Sequence, residues 1–515
     1  MIHFIPAWYH PTRPWYTTDE VWFRSGAEAA ADDTVTRARI FRRGAEETGL
    51  VVLNYAPSLR RFLHAQQLID VPYWSFFDAV QGLADDYTRP LDFLDLDWPE
   101  DAGFFYNPFL VTVMRGEEVY ARVQLAREGT VQSIRYYGAG MPSVDHLYDD
   151  RGFLSSVLMH DEEGRPITQY YLSRDGDVIV SEDLAGGGID VVQNPDGRFR
   201  QSSYPDWEAL IAELLGAHLD RRAGAGDTVV LSLAEQHDEL VTSVLRDQTL
   251  VLSRAVARPT VVADRVVARA GVVFADSDQA PGADWALPVL SIYPLEARPT
   301  FGASANESTV YLTVFADDLT MPDLDFVIAT SATHLVGNEH TRLLICTFRS
   351  QDVDHLRAIR QVIAGYQHLD VAFLDDEQAL LGADIGVTEG PEERIQLVFV
   401  DREADLIGTM ARSRVLIDLG SPVHPRLAAE AVNAGVPQIN RVPQELATDR
   451  INGYVIGDDG ELGPALDYFL SGLEHWNQSL VQCRVLEDLF SAPEVLARWE
   501  LLREGVTYAG PADRP

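Results

Sequence analysis

The stretch RVLIDLGSPVHPRLAAEAVNAGVPQIN, from Arg414 to Asn440, constrains the fold more than any other part of the chain. Val415–Leu419 is a short apolar, β-branched run of the kind that forms a buried strand. A Gly-Ser-Pro break follows, and His424–Ala434 then reads as a helix with Leu427, Ala431 and Ala434 on one side. Gly435 can take the positive φ that ends a helix, and Pro437 prevents the helix from continuing. Val436–Ile439 is the next strand. A strand–helix–strand crossover of this length requires a parallel sheet.

The same alternation extends to both sides. Ile2–Ile5 reads as a first strand, followed by an aromatic loop carrying Trp8, Tyr9, Trp15 and Tyr16. Asp32 or Asp33 suits the N-cap of a helix reaching about Glu47; Leu50–Tyr55 is a second strand and Pro57–Ile69 a second helix. From about Pro108 apolar and polar residues alternate instead. Glycines at 152, 164, 176, 187 and 197 punctuate this part at hairpin-like spacing, which predicts an antiparallel meander over 101–204. Helix–strand alternation resumes with Asp206–Leu219, Thr228–Leu233 and Glu235–Leu245. Beyond a linker at Tyr293–Ser304, the runs Tyr311–Phe315, Leu343–Thr347, Val371–Leu374 and Gln396–Val400 add strand candidates. Helices at Asp323–His334, Asp352–Ala364 and Glu403–Ser413 separate them. The fold class is therefore α/β, with two Rossmann-like domains (1–100 joined to 205–297, and 298–480) and an inserted antiparallel β-sheet domain at 101–204. A helical tail occupies 481–515.

Charge narrows the choice of partners. A net charge of −38 argues against a nucleic-acid backbone and against a polybasic membrane anchor. All 41 basic residues are arginine, so no lysine can form a Schiff base or bind a phosphate. Cys346 and Cys483 stand far apart in apolar settings, which predicts two buried thiols and no zinc site. The opening MIHFIPAWY lacks the features of a signal peptide, and no run approaches the length of a membrane span. A cytoplasmic location without direct membrane insertion is the expectation.

Glu430–Pro437, Glu-Ala-Val-Asn-Ala-Gly-Val-Pro, resembles the Glu-Ala-X-Ala-X-Gly-X-Pro segment of retaining GT-B glycosyltransferases, which lies beneath the sugar nucleotide. Asn433 stands at the second alanine. The resemblance implies another glutamate eight positions before Glu430, and Pro422 stands there. Metal-free GT-B enzymes also place Arg and Lys after the first strand of the second domain. Here Val314–Asp325 holds Asp317, Asp318, Asp323 and Asp325 and no basic residue, so it would repel a departing diphosphate. The resemblance thus implies a GT-B fold whose final helices cross back to the first domain. Catalytic, cofactor and metal residues are expected to be none. Glu430 is then a vestigial ribose-type contact or a surface carboxylate. His424 either faces the interdomain cleft or starts the helix. Trp8, Tyr9, Trp15 and Tyr16 could stack a sugar, present a partner surface, or pack loop against sheet. Among the glycine-rich stretches, Ala223–Asp227 precedes a strand instead of following one and fails as a dinucleotide loop.

A second resemblance covers residues 1 to about 500. Phe4–Tyr9, the Asp32–Thr34 helix start, Val52–His64, Tyr73–Asp78, Gly435–Asn440 and Asn452-Gly453 together resemble the first of the accessory secretory (Asp) protein families of the bacterial accessory Sec system. That likeness implies a pseudo-glycosyltransferase without transferase activity. Its implied partners are the other Asp proteins and the accessory Sec ATPase, with a glycosylated serine-rich repeat adhesin as export client. The competing readings are an active retaining GT-B glycosyltransferase modifying that adhesin, and a glycan-binding module.

Overall fold

The computed structural model describes residues 1–10, 12–16, 32–44, 46–83, 88–107, 110–126, 128–279, 285–350, 352–366 and 394–505. They form two compact units, one dominated by Arg37–Ser253 and one by the chain from Val272 onward.

In the first unit five parallel strands lie in the order Thr249–Arg254, Thr228–Ser232, Ile2–Ile5, Thr48–Val52 and Tyr73–Ser75. Phe4 sits opposite both Val230 and Leu50. Ile2–Ile5, Thr48–Val52 and Thr228–Ser232 are buried along their whole length, as expected where helices cover both faces of a parallel sheet. The second strand is shorter than its apolar run because Tyr55 leaves the ladder and donates its N–H to the Trp15 carbonyl at 2.8 Å. The helix after it covers only Leu59–Ala65, and Gln67 at φ 57° turns the chain away.

Ten strands from Ala102–Tyr106 to Ser203–Tyr204 form one antiparallel sheet whose spatial order follows the sequence. This is the inserted meander predicted by its turn glycines, and Gly152 has the tightest requirement. At φ 85° it sits where a Cβ would stand 1.7 Å from the Arg89 carbonyl oxygen.

The turn holding Gly152 is tied to the α/β layer by charge. Arg151 donates to both carboxylate oxygens of Asp149, at 2.7 and 3.0 Å, and to Asp78 at 2.7 Å. Arg60, on the helix Leu59–Ala65, reaches Asp149 at 3.0 Å and also pairs with Asp150. The Arg151 and Asp149 side chains are 1% and 3% exposed, so the network is a buried one. Burial pushes the Asp150 carboxyl up to about 6 against the opposing pull of Arg60.

In the second unit six parallel strands run in the order Ile395–Phe399, Thr341–Thr347, Val310–Phe315, Ser413–Asp418, Gln438–Asn440 and Gly453–Val455. Leu312, Val314, Leu343, Ile345, Val415 and Ile417 fill the core beneath the helix Met321–Gly337, which contributes Leu324, Val327 and Ile328. The strand expected at 371–374 lies outside the described residues. Three C-terminal helices follow, Leu462–Leu470, Glu474–Leu489 and Ala492–Arg503. The last packs Trp499 edge-on against Phe274, 5.2 Å between centroids. The alternation of parallel strands and helices in each unit, with the antiparallel insertion, is the GT-B arrangement.

Candidate functional site

The strand Ser413–Asp418 delivers Asp418 to its C-terminal edge, where open α/β sheets place their ligand sites. Asp418 is fully buried, and its carboxylate accepts from the Gly420 N–H at 3.1 Å and the His424 N–H at 3.0 Å. Its own carbonyl accepts from the Asn440 amide at 3.0 Å. Asp418 therefore closes the turn between strand and helix. Desolvation pushes its carboxyl up to about 6, and nearby Asp318 adds to the rise while the two N–H donors oppose it.

The helix Pro425–Ala434 starts on a proline, whose missing N–H costs nothing in the first turn. It ends at Gly435, φ 74°, whose N–H bonds the Val432 carbonyl while that of Val436 bonds Ala431. The departure from the glycosyltransferase pattern has a structural use. The Asn433 amide donates to the Pro294 carbonyl at 3.2 Å and to Glu430 at 3.1 Å, and its oxygen accepts from the Glu296 N–H at 2.9 Å. An alanine there could not hold the Pro294–Glu296 segment.

Glu430 is buried and paired. Arg298 approaches both of its carboxylate oxygens at 3.0 Å. Burial raises its pKa, and Arg298 and the Asn433 amide pull it back. Arg298 lies in the segment read from sequence as a linker, and sequence patterning did not single it out. His424 occupies the N-cap position, and its ring packs against Phe315 and Phe348 at 5.2 and 5.1 Å. Desolvation, with Arg426 nearby, pushes its imidazole down to about 4, so it is neutral at pH 7. Pro422 is exposed in the turn between Asp418 and His424.

The acidic segment after the strand Val310–Phe315 is largely satisfied internally. Asp317 accepts from the Phe348 N–H at 2.8 Å, from the Thr347 hydroxyl, and pairs with His355 at 3.0 Å. Asp323 pairs with Arg441 at 2.8 Å and Asp325 accepts from the Tyr366 hydroxyl at 2.8 Å. Asp318 is raised by burial and by Asp317 beside it, with Arg349 opposing.

The N-terminal aromatic residues lie in the first unit, packed ring to ring. Trp8 meets Phe62 edge-on at 4.8 Å, and Tyr9 meets Trp15 at 5.2 Å and His237 at 5.1 Å. The Tyr9 hydroxyl bonds the His237 ring, and the Trp15 indole donates to Glu208 at 2.7 Å. Tyr16 leans on Tyr55 and lies beneath the Arg13 guanidinium, 4.5 Å from its centroid.

Among the described residues, no group of three or more His, Cys, Asp or Glu is placed to hold a metal ion. No helix there is long and apolar enough to cross a membrane. Cys346 and Cys483 are buried, and burial pushes both thiols up to about 12.

A family model for the first Asp protein of the accessory Sec system matches residues 1–505. Two proteins carrying that same description are similar along nearly their whole length. The one from Staphylococcus aureus is 25% identical over 521 residues, 98% of this chain and 99% of the relative. The one from Streptococcus gordonii is 26% identical over 524 residues, 97% and 98%. Among solved structures, the chain is similar to one of the Glycosylation Associate Protein (Gap123) complex from Streptococcus agalactiae, with TM-score 0.80 and 26% identity over 97% of this chain and 99% of that one. The pneumococcal O-GlcNAc transferase GtfA, solved with UDP and GlcNAc, shares the fold at TM-score 0.68 and 12% identity, covering 99% of both chains.

Proposed function

The chain belongs to the family of the first Asp protein of the accessory Sec system and has its role in that system; from that premise we propose that it works as a non-catalytic GT-B scaffold. It assembles with the other accessory secretory proteins and the accessory Sec ATPase, and assists export of a glycosylated serine-rich repeat adhesin. The family description and the relative solved within the Gap123 complex support the assembly. The observation that carries the non-catalytic reading is the Arg298–Glu430–Asn433 cluster. The carboxylate that a transferase would offer to its nucleotide sugar is here buried in contacts that fasten one segment of the second unit to another. Pro422 at the position of the second glutamate and the acidic 314–325 segment point the same way. The working domains of this scaffold are 1–100 with 205–297, 101–204, 298–480 and 481–515. It acts in the cytoplasm and reaches the inner membrane face through its partners.

Affinity-tagged protein recovered from its native host at low salt should bring down the other Asp proteins in fixed ratio. Deleting its gene should leave the adhesin glycosylated but retained in the cell. A protein that runs alone, and whose loss leaves export unchanged, rules out the scaffold. Loss of adhesin glycosylation on deletion would favour the reading as an active transferase.

A further inference from the structure

A cavity of about 510 Å³ opens in the second unit at the N-terminal edge of the strand Ser413–Asp418, the opposite edge from Asp418. Arg414 lines it. The guanidinium rests on the face of Trp476, 4.2 Å from the ring centroid, and makes no hydrogen bond or ion pair with any described residue. Its Nη1 is buried without a partner. Leaving such a donor unmet costs free energy, so a missing acceptor is the economical explanation. Desolvation acts on Arg414 unopposed and lowers its pKa.

The rest of the lining says what kind of acceptor fits. Phe469, Leu470 and Leu473 give it an apolar wall, with the Thr333 and Ser471 hydroxyls between. The helix Glu474–Leu489 begins at its rim, and its N-cap position, Leu473, supplies no side-chain cap, so its first N–H groups have no side-chain acceptor. One guanidinium matches one negative charge. A phosphate dianion would be undercompensated here, whereas Asp467 on the same wall is 68% exposed, 3.9 Å from His334, and keeps its charge largely in solvent. Leu473 is 61% and neighbouring Val336 67% exposed, which continues the apolar surface outward from the mouth.

We propose that this cavity captures the C-terminal carboxylate of a peptide chain, with Arg414 pairing the carboxylate and the Phe469–Leu473 wall taking the terminal apolar side chain. Carboxylate capture by a guanidinium next to open backbone N–H groups is a recurring recognition mode, and here it gives the scaffold a docking point built wholly within its second unit. The site is independent of whether the donor cleft is active.

The full chain labelled with 5-fluorotryptophan provides a local readout, with the Trp476 resonance assigned by Trp476→Phe. N-acetyl-leucine should shift that resonance saturably, with a dissociation constant on the order of millimolar. N-acetyl-leucinamide, identical but uncharged, should not. Arg414→Gln should weaken N-acetyl-leucine at least about tenfold, as loss of a charge-assisted pair does. Leu473→Asp, an exposed substitution that leaves Arg414 in place, should do the same by repelling the carboxylate. The proposal is overturned if the amide shifts the resonance as strongly, if both variants keep wild-type affinity, if N-acetyl-leucine produces no shift, or if inorganic phosphate saturates the site and N-acetyl-leucine does not.

Discussion

Arg151→Met is expected to lower the unfolding free energy by about 3–5 kcal/mol, the usual cost of removing one partner from a buried ion network. The methionine roughly keeps the volume of the side chain but strands Asp149 and Asp78, whose carboxylates both lie on Arg151 at 2.7 Å. Asp149 cannot escape to water, since its side chain is 3% exposed. Arg60 would remain, but it already serves Asp149 and Asp150 together. Because these contacts fix the turn at Gly152 to the helices Leu59–Ala65 and Phe76–Gln81, the loss should appear first as loosening of the antiparallel sheet. Arg165→Ala is the control: its partners Asp161 and Glu163 form a solvated cluster, and exposed pairs contribute about 0–1 kcal/mol. Urea midpoints at constant m-value measure both. A loss below about 1 kcal/mol for Arg151→Met would mean that apolar packing, not charge, anchors the sheet.

The second large effect is a pH dependence. Asp418 has its folded pKa raised to about 6, above the ordinary carboxylate range. The native state therefore favours the neutral carboxyl. Below pH about 4 the group is protonated in both states and contributes no penalty. Between about pH 4 and pH 6 the unfolded chain gives up this proton while the native state keeps it, so stability falls by roughly 3 kcal/mol over that window and levels off once the native carboxyl ionises above about 6. Asp418→Asn cannot ionise and escapes that fall, although it loses one acceptor for the Gly420 or His424 N–H. The advantage of wild type over the variant should thus shrink by about 3 kcal/mol between pH 4 and pH 7, read from urea unfolding at each pH. Parallel profiles would show that Asp418 titrates normally. Asp150 also sits near 6, but it is common to both proteins and cancels in the difference.

What was legible in the sequence was local. The strand–helix–strand unit from 413 to 440 follows from one apolar run, one Gly-Ser-Pro break and one terminating glycine, and its observed bounds differ by only a residue or two. The meander was legible because glycines at 152, 164, 176, 187 and 197 punctuate it at hairpin spacing, and all five stand at positive φ in its turns. Long-range pairing was not legible. Nothing near Glu430 announces Arg298, and nothing in Asp149-Asp150-Arg151 beyond a hairpin signal says that the turn will meet Asp78 and Arg60. Asp418 reads as one charged residue inside the apolar run Val415–Leu419, and its place at the strand end as the acceptor for the following turn depends on the backbone path. The acidic 314–325 segment reads as repulsive to phosphate, but its pairings with His355, Arg441 and Tyr366 come from elements far along the chain.

The central claim is that the carboxylate a GT-B transferase would present to a sugar nucleotide now serves the architecture of the fold. Calorimetric titration of the full chain with UDP-GlcNAc tests it directly. The account predicts no saturable binding tighter than about 1 mM, equivalent to about −4 kcal/mol. Micromolar binding accompanied by release of free UDP would contradict it.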